Sequence, residues 1–276
     1  MIELPEAVTI ARQLDAELRG KRIVSGNAGT SPHKWVFYRP ARGELQQKLP
    51  DRTVGKVTAV GRGIQMQLEP GLSLIVDDFG GRVFYHSARS RLPEKYHLLL
   101  SFEDESFLTV AIQGWGFIAL LTENELRERA HIRAAAVSPV DDAFTFERFN
   151  GFFDRYQDKA KDSIKTFFTN GKCVAGIGNG YLQDILFRAG IDPRRKVEHI
   201  TPEERSALYQ AVKETVQAAI SLNGRLCELD IYGTPGKYNP VMDRHAKDKP
   251  CPVCGTIIQK ISYLGGSCYV CPTCQT

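Results

Sequence analysis

The sequence predicts an α+β chain: an N-terminal helix with a β-sandwich, then a helical domain, then a small cysteine-built finger. Three observations predict this. Residues 5–19 carry apolar side chains at helical spacing. Residues 22–121 break into short apolar runs separated by Gly, Pro, Asn and Asp, the texture of a sandwich or barrel. From 146 onward helical patterns return, and two C-x-x-C pairs close the chain. With 276 residues and 42% hydrophobic content the chain can bury proper cores. The expected division is 1–130 for the sandwich domain, 131–145 for a linker, 146–235 for the helical domain and 236–276 for the finger.

Each element has a local reason. In the first helix Pro5 suits the opening positions, Glu6 the first turn, and Gly20 a stop. Val8, Ala11, Leu14 and Leu18 line one face. Strands are expected near 22–26, 34–39, 54–60, 64–69, 72–78, 82–86, 97–102, 107–112 and 116–121. Helices follow at 146–157, 161–169, 180–189 and 202–221. The last starts with Thr201, Pro202 and Glu204, a capping box. Residues 223–249 read as loop, and Ile258–Tyr269 as a hairpin.

Net charge is only +4, a value shared by many soluble proteins. Its distribution is uneven. Residues 159–196, Lys165 and Lys172 among them, carry eight basic side chains against three carboxylates, while 197–234 is acidic. Residues 235–276 are basic again, five against two. Two separated basic patches suit a polyanion. No apolar run approaches the ~20 residues of a membrane span. The start MIELPEAV lacks a charged-then-apolar signal layout, so a cytoplasmic protein is expected. The six histidines show no ligand spacing and receive no role.

Cys251-Pro-Val-Cys254 and Cys271-Pro-Thr-Cys274 stand sixteen residues apart. Two such knuckles can place four thiolates around one Zn²⁺, which then supplies folding energy that so short a module lacks. Cys268, Cys173 and Cys227 fall outside the pattern and read as packing residues. Upstream, Gly176-Ile177-Gly178-Asn179-Gly180 lies between two helices. Glycines let backbone N–H groups approach a ligand, and a helix N-terminus favours an anion. Lys172 and Asn179 add side-chain donors, so a DNA phosphate is the expected occupant.

These pieces, in this order, resemble the formamidopyrimidine-DNA glycosylase and endonuclease VIII family over nearly the whole chain. Glu3-Leu4-Pro5-Glu6 is similar to that family's N-terminal signature. Gly176 to Asn179 with Asp184, then Ala189-Gly190-Ile191-Asp192-Pro193, resembles its helix–two-turn–helix, and the cysteines resemble its zinc finger. The resemblance implies damaged duplex DNA bound between two domains, with an oxidised base flipped out and excised. It also implies attack on the sugar by an N-terminal proline amine, followed by strand cleavage.

Three positions depart from the family. Ile2 stands where the catalytic proline would be, and an initiator methionine is normally kept before so large a residue, which leaves the free amine to Met1. Arg62 stands where the family has a lysine, and an arginine holds phosphate but does not readily give up its proton. Gly266 stands where the finger has a phosphate-clamping arginine. Glu3 is retained beside a helix start, where a carboxylate kept charged can activate water as in glycoside hydrolysis. Glu6 is a second candidate of the same kind. The resemblance places Phe79 as the wedge that fills the gap left by a flipped base, with Gln113, Trp115 and Phe117 in a second such loop.

The sequence thus predicts a monomeric, nucleoid-associated, base-excision glycosylase that uses water and lacks dependable strand cleavage. The alternative is a non-catalytic damaged-DNA-binding protein of the same fold, and a third reading is an RNA-binding zinc protein. Site candidates are Met1, Ile2, Glu3 and Glu6 for chemistry. Arg62, Phe79, Lys165, Lys172, Gly178, Asn179 and Gly266 are those for DNA, and Cys251, Cys254, Cys271 and Cys274 those for zinc.

Overall fold

A computed structural model of the chain describes residues 1–30, 34–77, 79–88, 91–133, 136–156, 161–170 and 173–276, with the backbone alone at 129–133. It divides into two compact units. The first is Met1–Ile132 with Leu222–Lys237, and the second Arg133–Ser221 with Tyr238–Thr276.

In the first unit, helix α1 (Leu4–Leu18) buries Ala7, Ile10, Ala11, Leu14 and Leu18. It ends before Gly20, whose φ of +83° a β-carbon would resist. The strands are β1 (Ile23–Asn27), β2 (Val36–Arg39), β3 (Thr53–Val60), β4 (Gly63–Glu69), β5 (Leu72–Asp77), β6 (Gly80–His86), β7 (Leu98–Phe102), β8 (Phe107–Gln113) and β9 (Gly116–Thr122). One sheet runs β2-β9-β5-β4-β3 and the other β1-β7-β8-β6. All pairs are antiparallel except β2 with β9. Alternate residues of both sheets, Ile64, Met66, Leu74, Val76, Leu98, Leu100, Leu108 and Val110, form one buried core with α1. Burying each such side chain contributes roughly 1.5–3 kcal/mol.

Every strand expected from the alternation is present. Two helices were not expected, α2 (Arg42–Lys48) and α3 (Glu123–Arg133). Short α2 buries only Leu45, and the sequence of α3, ENELRERAHIR, has no apolar stripe to betray it. α3 therefore occupies the start of the expected linker, and 134–135 of that linker lie outside the described residues.

The expected helical domain over 146–235 needs a larger correction, because 222–237 returns to the first unit. Its anchors are specific. Ile231 is fully buried in the sandwich core, and its carbonyl accepts from Tyr85 N–H at 2.9 Å. Gln13 donates to Asp230 at 3.0 Å, and the Tyr232 hydroxyl to Glu17 at 2.7 Å. Cys227, expected to be buried, is exposed in this segment, whereas Cys173 is buried.

The second unit holds α4 (Phe146–Arg155), α5 (Ile164–Thr169), α6 (Asn179–Arg188) and α7 (Pro202–Ser221). Its hairpin is β10 (Gln259–Tyr263) with β11 (Gly266–Val270). Thr145 and Ser163 cap α4 and α5. Thr201 and Glu204 exchange the two bonds of the expected capping box at α7. Phe149 and Phe167 centre an aromatic core with Phe144, Phe153, Phe168 and Tyr209. Among the described residues, no helix is long and apolar enough to cross a membrane.

Candidate functional site

The first unit gathers its charges at the chain's start. Glu3 is the N-cap of α1, and it forms a capping box with Glu6, whose carboxylate accepts from Glu3 N–H at 3.0 Å. Both side chains are almost completely buried. Two buried carboxylates require a cation, and Arg225 supplies it. Its Nε donates to Glu6 at 3.1 Å, Nη1 to Glu3 at 3.4 Å and Nη2 to the Met1 carbonyl at 2.8 Å. The Arg225 N–H adds a bond to Glu6 at 3.1 Å. Gly224 makes that approach possible: it sits at φ +88°, and a β-carbon there would come within 2.8 Å of Glu6 Cγ.

The Met1 ammonium pairs with Glu228 at 2.8 Å, while the residue itself stays 58% exposed. Arg62, on the turn between β3 and β4, places Nη1 3.6 Å from the Met1 sulfur. Met1, Glu3, Glu6 and Arg62 thus lie together. Ile2 does not join them as a reactive group: its side chain is core, and its N–H is an amide donating to the Phe79 carbonyl at 3.2 Å. Phe79, expected as the wedge, is fully buried in the sandwich core. In the second such loop Trp115 is the exposed ring. Arg225 and Glu228 escaped the sequence reading. They sit over 220 residues from Glu3 and Met1, in a stretch that reads as loop.

The second unit has its own constellation. Gly178, in extended backbone, is the N-cap of α6, and Gly176 upstream takes φ +83°. Asn179 opens α6, and its amide donates to the Ser267 carbonyl at 3.1 Å. One turn on, Gln183 accepts from Tyr269 N–H at 2.7 Å, so α6 grips the backbone of β11. Lys165, expected among the DNA-facing cations, is placed otherwise. Only 4% exposed, it donates to the Tyr263 carbonyl at 2.8 Å and touches the Cys268 sulfur at 3.3 Å. Its charge ties α5 to the hairpin. A β-carbon on Gly266 would lie 3.4 Å from that ammonium and 4.0 Å from the Asn179 amide, so the three positions converge. Lys172 lies outside the described residues.

Asp184 fixes the approach to the finger. It accepts from the Tyr238 hydroxyl at 2.7 Å and from the N–H groups of Met242 and Val241 at 2.7 and 3.1 Å. Burial pushes its carboxyl up from the ordinary value despite those three donors.

The sulfurs of Cys251, Cys254, Cys271 and Cys274 lie within 4.8 Å of one another, with close pairs at 3.8 and 3.4 Å. Tetrahedral thiolates at ~2.3 Å from Zn²⁺ stand about 3.8 Å apart, so the donor set fits that ion. The Thr256 hydroxyl and N–H pull the Cys254 thiol down to about 6, while hydrogen bonding to Cys254 pushes Cys274 up to about 12.

Comparison with known proteins bears on all three parts. Residues 1–112 match the formamidopyrimidine-DNA glycosylase N-terminal domain, 136–229 the formamidopyrimidine-DNA glycosylase H2TH domain, and 248–276 the zinc finger found in FPG and IleRS. The formamidopyrimidine-DNA glycosylase of Pelotomaculum thermopropionicum is 30% identical over 280 residues, covering 100% of this chain and 99% of the relative. That of Desulforamulus reducens is 28% identical, with the same coverage. Among solved structures, the Lactococcus lactis Fpg in complex with DNA containing an abasic site superposes with a TM-score of 0.87 at 23% identity, covering 99% of each chain. With this coverage and this identity across its whole length, the chain belongs to the formamidopyrimidine-DNA glycosylase family.

Proposed function

We propose that the chain is a DNA glycosylase that binds damaged duplex DNA and hydrolyses the N-glycosidic bond of a flipped base. Family membership supports the reaction class. The observation that carries the residue-level reading is the Glu3 carboxylate, held on Arg225 beside an accessible chain start. Glu3 takes a proton from water as the oxygen bonds to C1′, the bond from C1′ to the base breaks, and the base leaves with its electron pair. Arg225 orients Glu3, and Glu6 completes the buried ion cluster. Trp115 takes the wedge place that Phe79, in the core, does not fill.

Strand cleavage through an amine is not part of this reading. The Met1 nitrogen is instead engaged by the Glu228 carboxylate at 2.8 Å. The same pairing favours a second reading, a non-catalytic binder of damaged DNA. The Gly178–Asn179 helix start and the Gly266 tip would grip phosphate backbone, with zinc on the four cysteines holding the finger's shape.

Incubation with duplexes carrying a panel of lesions, with and without borohydride, separates the readings. Base release without trapping, abolished by Glu3→Gln, is expected. Trapping would show an amine intermediate and refute the hydrolytic route. Binding to damaged duplex with no release on any lesion would establish the binder instead. Asn179→Ala should weaken binding alike on all sequences and flatten its salt dependence.

A further inference from the structure

The first unit exposes a contiguous aromatic surface larger than the single wedge that base excision from a paired duplex needs. Trp35, Phe37 and Trp115 are 46%, 41% and 51% exposed. Phe37 and Trp115 stand 4.6 Å apart between ring centroids, and the two indoles 6.4 Å. These rings come from two distant stretches joined by the parallel pairing of β2 with β9, where Val36 faces Gly116 and Gly116 N–H donates to the Trp35 carbonyl at 3.0 Å. Gly116 has no room for a side chain. A β-carbon would lie 2.8 Å from Ile112 and 3.1 Å from Phe79, so this strand end is pressed onto the core while its neighbour Trp115 stands in solvent. Scattered exposed aromatics need no explanation; two rings gathered on a third, Trp115, at one sheet edge mark a binding surface.

Two observations select the occupant. The patch carries positive charge, with the Lys34 ammonium 5.0 Å over the Trp35 ring. It also continues toward the chain start: Gly80, paired with Gln113 on the strand that leads to Trp115, packs against the Met1 backbone. Flat π-faces with a cation beside them accept nucleobases with their phosphates, and they do so without regard to sequence.

We propose that Trp35, Phe37 and Trp115 form a stacking platform for unpaired nucleobases, so that this protein engages looped or single-stranded DNA in preference to fully paired duplex. This rests on the DNA-binding reading above and extends it: one wedge serves a single flipped base, whereas three rings hold a run of splayed ones. The only two tryptophans of the chain are both in the platform, so indole fluorescence reports on it alone.

The test uses the full-length protein and three undamaged probes of equal length: a paired duplex, a duplex with a central unpaired bubble, and an oligo-dT strand. Binding is read by anisotropy of labelled DNA and, separately, by tryptophan quenching. The bubble and the single strand should quench the indoles and bind about five- to a hundredfold more tightly than paired duplex, the range that stacking supplies per base. Trp35→Ala and Phe37→Ala should each shrink that ratio, and Phe37→Ala leaves both reporters in place. Binding to the bubble without quenching, or a ratio unmoved in both variants, overturns the platform alone. A wild-type dimer that Trp35→Ala converts to monomer overturns it too, because a second copy would then be the occupant. Failure to bind any probe at low salt would sink the parent reading and this one together.

Discussion

The chain start and the finger both hold charged groups out of water, and they do so by opposite means. At the chain start three carboxylates, Glu3, Glu6 and Glu228, face one guanidinium, Arg225. The cluster is ionic, and its members come from the two ends of the first unit. In the second unit a buried ammonium, Lys165, faces a neutral carbonyl, and α6 holds the hairpin through amide groups. Four thiols then complete a module that a metal can close. The first arrangement depends on balance between charges, and the second on the presence of an ion. The two should therefore fail separately and by different amounts.

The largest separation comes from metal. Structural Zn²⁺ in fingers of this kind is worth roughly 10–16 kcal/mol of folding. Chelation, or Cys251→Ser, should release amide protection across β10 and β11 while the sandwich strands keep theirs. Equal loss in both units by hydrogen exchange would show that the two are not independent. DNA affinity should fall with the finger, and full affinity after chelation would remove zinc from the binding account.

Next is the ionic cluster. Arg225→Met leaves Glu3 and Glu6 buried together without their cation. Removing one partner of a buried pair costs about 3–5 kcal/mol. The loss should appear as a lowered denaturant midpoint of the first unit, with the finger's metal content unchanged. Glu228→Gln removes the pair with an exposed terminus and only the longer, 3.7 Å contact with Arg225, so it should cost less, about 1 kcal/mol. Comparable effects from the two substitutions would mean that Arg225 is not the hub.

What the sequence revealed follows the same division. The nine strands, the capping box at Thr201 and the four cysteines are encoded locally, within a few residues or one fixed spacing. So is the glycine run before α6, where Gly176 needs a positive φ. The ionic cluster has no local code. Arg225 reads as one basic residue in an acidic stretch, and only the return of 222–237 to the first unit brings it to Glu3. Phe79 shows the converse. Its alignment suggested a wedge, but an aromatic beside a strand packs inward when a glycine such as Gly116 opens space against it. Lys165 looked like one surface cation among eight, and nothing in its neighbours announced the carbonyl of Tyr263, 98 residues away.

Lys165→Met sharpens the contrast at an intermediate scale. The apolar replacement fills similar volume and removes the charge, but leaves the Tyr263 carbonyl without this donor. An acceptor stranded in that way costs about 1–3 kcal/mol. The effect should be confined to β10, β11 and α5, again by hydrogen exchange. A loss of DNA affinity with the hairpin's protection intact would instead return Lys165 to the DNA contacts.

The smallest effect tests whether the first unit's reliance on ion pairs extends beyond its buried cluster. On the surface of the sandwich, Lys21 pairs with Asp104 at 2.6 Å. Burial acts to raise the Asp104 carboxyl, but the Lys21 ammonium and the hydroxyl and N–H of Ser106 outweigh it and pull the group down to about 2, against an ordinary 3.8. The folded state therefore holds this proton less tightly than the unfolded chain. The stabilisation is complete above about pH 4, where both states are ionised, and it disappears as pH falls toward 2, where the folded carboxylate also takes its proton. Lys21 has the opposite sign: burial lowers it, but Asp104 and Tyr85 raise it above 10.5, so its share is present below that pH and is lost only as pH rises past it. Asp104→Asn should accordingly lower the first unit's melting temperature slightly at pH 6 and bring variant and wild type together by pH 2. A difference that instead persisted undiminished at pH 2 would assign the effect to packing around Ser106, because the wild-type carboxylate is then taking up its proton and the Lys21 ammonium, charged in both proteins, is losing its partner.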